Sequence, residues 1–252
     1  MEKILDFPLL VLVISTVGLW LSAFAGALCR EKFGPLTADE RSDFGVVQGA
    51  TLTLLGLLIG FTFSMAINRY EQRKNYEEAE ANAIGTEYVR AGLLPAADAV
   101  EVRALLKKYL DQRVLFYTTR DWRNLQQIAS TTSQLQNELW SDVQAHTVNQ
   151  PTAVASLVAA GMNDVLNSEG YTQAAWWNRI PFEAWVLLAA IAIGCNLLIG
   201  YGAHRNSFLF IILPIAVSLS FFLIADIDSP RGGVIRVRPQ NLIRLSQSLN
   251  AQ

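Results

Sequence analysis

The stretch VVQGATLTLLGLLIGFTFSMAI, residues 46–67, runs without a proline into RYEQRKNYEEAEANAIGTEYVRAGLL, residues 69–94. The first part has no charged side chain and is long enough to cross a bilayer as a helix. The second part is strongly charged but keeps a helical composition, and only Gly45 and Pro95 punctuate the ends. We expect one helix, about 70 Å long at ~1.5 Å per residue, that joins a membrane segment to a soluble one.

The composition is typical of a polytopic membrane protein. Of the 252 residues, 52% are hydrophobic and the mean hydropathy is +0.27, whereas the charges concentrate between residues 69 and 179. Further apolar runs at residues 7–28, 182–198 and 207–224 are the other candidate spans. The formal net charge of −2, without a dense basic run, predicts no nucleic-acid partner.

The first apolar run, residues 7–28, has two interpretations. Ala23-Phe24-Ala25 resembles the cleavage site of a signal peptide. The run is too long for a typical signal-peptide core, however, and Lys3 is offset by Glu2 and Asp6. We favour a retained membrane helix.

The spans divide the chain into four segments. Residues 1–68 hold spans one and two, residues 69–179 a helical domain, residues 180–225 spans three and four, and residues 226–252 a C-terminal segment. The short link GYGAHRN makes spans three and four an antiparallel hairpin.

Four spans place both termini and the helical domain on the same side. Basic residues near the membrane ends favour the cytoplasm for that side by the positive-inside rule. Lys3, Arg69, Arg73, Lys74, Arg179, Arg231, Arg236, Arg238 and Arg244 lie there, against Arg30, Lys32, Arg41 and Arg205 opposite.

The helical domain has apolar residues at helical spacing and no strand alternation, so the predicted fold class is all-α. One apolar face includes Leu106 and Tyr109, the next Leu139, and a third Met162; we expect these faces to form a bundle core. Asp98 and Glu101 form a candidate capping pair after Pro95.

Two faces of span two are candidates for function. Small residues, namely Gly49, Thr53, Gly56, Gly60 and Ser64, form a surface that lets another helix approach closely. An adjoining stripe alternates polar and bulky apolar groups: Thr53, Leu57, Phe61, Ser64 and Asn68. Either both faces pack against neighbouring helices, or the glycines pack while the stripe lines an oligomeric pore in which Leu57 and Phe61 form a constriction.

Beyond span two, Glu77, Glu80 and Glu87 fall along one side of the continuing helix with Arg69 and Arg73. Repeated around a symmetry axis, these carboxylates would form an anionic vestibule that favours monovalent cations. The alternative is a solvated helix face stabilised by salt bridges.

The sequence does not favour an enzyme. His146 and His204 are predicted on opposite sides of the membrane, and HExxH, GxSxG, P-loop and CxxC motifs are absent. Cys29 and Cys195 form no disulfide framework. We predict no cofactor and no metal.

Residues 54–95 and 221–237, with the motifs EANAIGTEY and DIDSPRGG, resemble a bacterial bestrophin-like membrane family of unknown function. IGFTFSMAINRY is more distantly similar to the pore helix of true bestrophins, which carry a glycine-phenylalanine pair and a later arginine-aromatic pair. Gly60-Phe61 and Arg69-Tyr70 match these pairs, and Leu57 falls one turn before Phe61 at a neck position.

The resemblance implies a bestrophin-like homo-oligomeric ion channel in the bacterial inner membrane, pentameric if bestrophins are a guide, with span two around the axis. Thr53 replaces a large apolar residue expected one turn further out. The acidic calcium clasp of animal bestrophins has no counterpart, so calcium gating is not implied. The lipid bilayer, further copies of this chain and small inorganic ions are the expected partners, and a non-conducting membrane scaffold or accessory subunit is the alternative function.

The DIDSPRGG segment leaves the membrane in a tight turn. We predict that Asp226, Asp228 and Arg231, with Arg69, form a structural clamp at the end of span four. The basic partner is expected in the Arg69/Arg73 region or at Arg179. Two carboxylates without further oxygen ligands make a poor calcium site.

Overall fold

The computed structural model describes residues 5–202 and 209–251. Every regular element in these ranges is helical, which confirms the all-α prediction. The elements are α1 (Pro8–Phe33), α2 (Ala38–Arg90), a 3₁₀ turn (Ala91–Leu93), α3 (Ala96–Thr118), α4 (Trp122–Asn149), α5 (Ala153–Trp177), α6 (Phe182–Gly202), α7 (Leu209–Asp228) and α8 (Gln240–Asn250).

Four helices are long and apolar enough to span a membrane, as the sequence predicts. Their apolar windows fall in α1, in α2, in the helical stretch that contains α6, and in α7. Lys3 and residues 203–208, which include most of the predicted link GYGAHRN, lie outside the described residues.

The chain forms two compact units. Unit 1 comprises Met1–Tyr70 and Arg179–Arg236, and unit 2 comprises Glu71–Asn178 and Val237–Gln252. The first 33 residues of α2 belong to unit 1 and the remainder to unit 2. The C-terminal segment, predicted as residues 226–252, is divided between the two units after Arg236.

The helix predicted from Val46 begins eight residues earlier, at Ala38, and passes through Gly45. A capping box explains this start. The backbone N–H and the hydroxyl of Thr37 each donate to the Glu40 carboxylate at 2.8 Å, and the Glu40 N–H donates back to the Thr37 hydroxyl at 3.4 Å. Because α1 extends to Phe33, only residues 34–37 separate α1 from α2.

Unit 1 has a hydrophobic core to which α1, α2, α6 and α7 contribute. This core includes Leu55 and Ala66 of α2, Leu188 of α6 and Phe221 of α7. The backbones of α1 and α6 approach so closely that a Cβ at Gly26 or Gly200 would overlap a carbonyl oxygen of the opposite helix. Glycine is therefore required at this crossing.

Unit 2 packs the end of α2 with α3, α4, α5 and α8. The apolar faces predicted from spacing supply its interior, since Leu106, Tyr109, Leu139 and Met162 are all fully buried. The predicted cap of α3 is wrong: its N-cap is Pro95 without a side-chain hydrogen bond, and Asp98 instead contacts the His146 Nδ1 at 2.8 Å.

Candidate functional site

The stripe predicted on span two is the most exposed face of α2 in unit 1. Phe61 is 62% exposed and Leu57 52%, and the side chains of Thr53, Ser64 and Asn68 are exposed as well. At about 100° per residue, the centre of this stripe lies roughly opposite the buried face of α2. The buried face consists of Leu55, Thr62 and Ala66.

The glycines of span two have no packing partner among the described residues. A Cβ built at Gly49, Gly56 or Gly60 meets no described atom within 4 Å, apart from the local backbone of α2. The helix packing predicted for them is thus absent within the described part of one subunit. They flank the exposed stripe and leave a shallow, open helix surface beside it.

The three carboxylates predicted to line a vestibule are buried in unit 2. Glu77 is 1% exposed, and Glu80 and Glu87 are 0% exposed. Arg73, grouped with them on the sequence, is 1% exposed and its Nε donates to the Ala175 carbonyl oxygen at 3.2 Å. Their burial overturns the anionic vestibule, because these carboxylates face the protein interior instead of water.

Glu80 is the centre of a buried polar network. It is paired with the guanidinium of Arg113 and accepts hydrogen bonds from Tyr117 at 3.3 Å and Thr172 at 3.1 Å. Burial alone would lower the pKa of Arg113, but the neighbouring Glu80 is the strongest of the groups that raise it above its usual range. The network joins α2, α3 and α5.

The sequence analysis missed the partners in this network. Arg113 lies at helical spacing from the buried Tyr109, Leu110 and Phe116. A single arginine on an otherwise apolar face is a signal for a buried ion pair. Its carboxylate partner comes from another helix, which the spacing within α3 does not identify.

Glu77 caps the N-terminus of α8. Its Oε1 accepts the backbone N–H groups of Asn241 and Leu242 at 2.9 and 3.0 Å, and its Oε2 accepts the Asn241 side-chain amide at 2.8 Å. The first N–H groups of a helix lack intrahelical partners and carry partial positive charge. A carboxylate from α2 therefore anchors α8.

The predicted clamp residues Asp226 and Asp228 both hold backbone in unit 1. Asp226 accepts the N–H groups of Val234 and Ile235 at 2.7 and 2.8 Å. Asp228 accepts the Ile180 N–H at 3.2 Å and lies 3.5 Å from the Nε of Arg179, the alternative basic partner named on the sequence.

The other two clamp candidates, Arg69 and Arg231, have different surroundings. Arg69 places its Nη2 3.7 Å from the Met65 sulfur, one turn back on α2. Arg231 follows the end of α7 in a segment where a Cβ at Gly232 would overlap the Asp6 carbonyl oxygen. Arg179 also pairs with Asp6, so the N-terminal segment contributes to this cluster.

An acid-lined cavity of about 250 Å³ lies in unit 2 between α3 and α4. Its polar walls include Asp98, Glu101, Asp142 and His146. Burial raises the pKa of Asp142, and Glu101, Glu138 and Asp98 act in the same direction. Within the described residues, no group of three His, Cys, Asp or Glu side chains is arranged to hold a metal ion.

A family model described as the bestrophin-like domain matches residues 44–242, which include the stripe, the buried carboxylates and the clamp. The chain belongs to the bestrophin-like family. A search of curated protein sequences finds no significant match for this bestrophin-like chain.

Solved structures share the bestrophin-like fold. A bacterial bestrophin homologue from Klebsiella pneumoniae superposes with a TM-score of 0.65 at 14% identity, over 96% of this chain and 97% of that chain. Two point mutants of that homologue give TM-scores of 0.64 at 13% identity, over 97% and 99% of the chains, and 0.67 at 12%, over 96% and 97%. At such identities the likeness establishes the fold alone.

Proposed function

We propose that this bestrophin-like protein is a homo-oligomeric channel for small inorganic ions, with α2 of each subunit around a central axis. The observation that carries the proposal is the exposed stripe of α2, opposite the face that α2 buries in unit 1. Membership in a family related to the bestrophin channels supports the same function.

The chemistry of the stripe favours a water-filled path over contact with lipid. Ser64 and Asn68 expose polar groups on a segment that is apolar enough to span a bilayer. Thr53 is also exposed, but its hydroxyl already donates to the Gly49 carbonyl oxygen at 2.9 Å and needs no further acceptor. Polar side chains in a spanning helix ordinarily face a protein interior or a water-filled cavity, because lipid offers them no partners.

The open glycines suit a contact between copies of α2. Gly49, Gly56 and Gly60 lie beside the stripe, and a Cβ at each would meet no other part of the chain that the structure describes within 4 Å. Small residues at spacings of three and four let helix backbones approach closely in membranes. In a ring, a neighbouring subunit would cover this flank while the stripe faces the axis.

Leu57 and Phe61 are proposed as the constriction. They lie one helical turn apart and are both more than half exposed. Rings of such side chains around a narrow axis gate ion flow by excluding water. The preference for monovalent cations loses its basis, because Glu77, Glu80 and Glu87 are buried inside unit 2.

We further propose a pentamer in the bacterial inner membrane, with both termini and the segment 69–179 in the cytoplasm. The subunit number follows the resemblance to bestrophins. The orientation follows the excess of basic residues near the membrane ends on that side.

The test is ion conduction by purified protein in planar bilayers. We expect currents in the wild type, and we expect Leu57→Ala and Phe61→Ala to change conductance or gating because both enlarge an apolar constriction. Val13→Ala is the matched control, since Val13 is 58% exposed on the spanning helix α1. Currents that neither α2 substitution changes would refute the assignment of the pore. The absence of current at all voltages and pH values tested would favour a non-conducting scaffold.

A further inference from the structure

Glu87 is a buried carboxyl group in unit 2. Its side chain is 0% exposed, and neither carboxylate oxygen has a hydrogen-bond partner among the described residues. Glu77 and Glu80, on the same side of α2, differ from it because each accepts several hydrogen bonds. A buried charge without donors is costly, whereas a neutral acid in the same place costs far less.

The carboxyl group of Glu87 lies directly against the backbone of α5. A Cβ at Gly161 would overlap the Glu87 Oε2, and it would come within 2.5 Å of an Arg90 guanidinium nitrogen. Glycine at 161 thus leaves the space that the Glu87 head group occupies. The contact between α2 and α5 at this level depends on how well that head group fits.

The charged groups that act on Glu87 come from both packed helices. Burial is the largest influence and raises the pKa of Glu87 to about 8; Arg90 on α2 opposes the rise, and Asp164 on α5 adds to it. Since the usual value for glutamate is 4.5, this group changes its charge near neutral to mildly alkaline pH.

We propose that Glu87 is a proton-operated latch between α2 and α5, closed when the carboxyl group is protonated and loosened when it loses its proton. In the protonated form, a neutral head group packs in the space over Gly161. After deprotonation, a negative charge that accepts no hydrogen bond from the described residues lies against the α5 backbone, with the positive Arg90 and the negative Asp164 nearby. Either water enters or the helices separate at this point, because the charge requires solvation.

The latch concerns the packing of unit 2 and does not require conduction. α2 also carries the exposed stripe, so the latch supplies a route by which pH would act on the pore; that step alone rests on the proposed function. The test below uses no current, and its outcome is therefore independent of the channel experiment.

The experiment is hydrogen exchange on the full-length protein in detergent between pH 6.5 and 9.5, with rates divided by the intrinsic rate at each pH. We expect the protection of residues 153–177 to fall as the pH rises in the wild type and to level off near pH 8, the midpoint at which half of the folded molecules have lost the Glu87 proton. Glu87→Gln mimics the protonated acid and should keep the protection constant. Glu78→Gln is the matched control, because Glu78 is exposed on the same helix. An equal pH dependence in the wild type and Glu87→Gln would overturn the latch.

Two charge variants keep the test decisive if Glu87→Gln does not fold. Asp164→Asn removes the like charge and should move the midpoint to lower pH, whereas Arg90→Gln removes the favourable charge and should move it to higher pH. Asp164 is exposed and Arg90 half-buried, so both positions tolerate substitution better than Glu87. A midpoint that both variants leave unchanged, or a wild type without a transition, would refute the proposal.

Discussion

The carboxylate of Glu80 in α2 is paired with the guanidinium of Arg113 in α3, and neither side chain is more than 1% exposed. Glu169 adds a second carboxylate 3.6 Å from the same guanidinium. A buried pair of this kind need not stabilise a fold more than an apolar contact would. The loss of one partner, however, leaves the other charge buried and unpaired.

Removal of one partner should therefore strongly destabilise the folded protein. Arg113→Met leaves the Glu80 carboxylate buried without its cation, and we expect a loss of about 3–5 kcal/mol in the free energy of unfolding. Denaturant titration of the purified protein in detergent measures it. The double variant Glu80→Gln with Arg113→Met should lose less than the sum of the single variants, because it leaves no uncompensated charge. Strict additivity would show that the pair is not coupled.

The contact from Glu77 to α8 predicts local release of the C-terminal helix. Glu77→Ala removes the acceptor for the first N–H groups of α8 and should cost about 0.5–2 kcal/mol locally. Limited proteolysis or hydrogen exchange should show faster opening of residues 240–250, with the membrane segments unaffected. Glu71→Ala, at an exposed position of the same helix, is the control and should leave α8 protected.

Two glycines of α6 should respond oppositely to the same substitution. Gly200→Ala places a methyl group against the Ala23 carbonyl oxygen of α1, and we expect a loss of at least ~1–3 kcal/mol from overpacking. The Gly194→Ala methyl group meets no described atom within 4 Å beyond the local backbone, and the substitution replaces glycine by a better helix former, so the thermal midpoint should stay level or rise. Equal effects would contradict the close crossing of α1 and α6.

The proposed oligomer predicts a separation between assembly and folding. Gly56→Leu fills a helix surface that is open in the subunit, so the helix content should be retained while light scattering shows a smaller particle. Gly18→Leu makes the same change at an open glycine of α1 and should leave the particle size unchanged. A particle of normal size in Gly56→Leu would remove this flank from the subunit contact.

The raised pKa of Glu87 predicts the sign of a pH dependence. Glu87 has its ordinary pKa of 4.5 in the unfolded chain and a pKa of about 8 in the folded chain. Unfolding at a pH between these two values therefore releases a proton. A rise in pH through that window should lower the free energy of unfolding by up to about 1.4 kcal/mol per pH unit relative to Glu87→Gln. Denaturation at pH 6 and pH 8 checks this difference, and a rising stability in the wild type would contradict it.

The side of α2 that carries Glu77, Glu80 and Glu87 illustrates how far sequence reasoning reached. Helical spacing correctly placed all three on one side of one helix. It assigned them to water, however, because their partners are distant in the chain: Arg113 is 33 residues from Glu80, and Leu242 is 165 residues from Glu77. A spacing rule within one helix contains no information about what packs against it.

The all-α class, the four spanning helices and the family could be predicted from the order of the amino acids alone. These follow from uncharged apolar runs, helical periodicity and local motifs, all of which act over a few residues to a few tens of residues. Which glycines touch a neighbouring helix and which carboxylates are buried depends on how the helices pack in three dimensions. Gly26 and Gly200 each lie against the backbone of the opposite helix, whereas a Cβ at Gly56 meets no described atom. Helices meet at particular crossings, and those crossings result from packing between segments far apart in the chain.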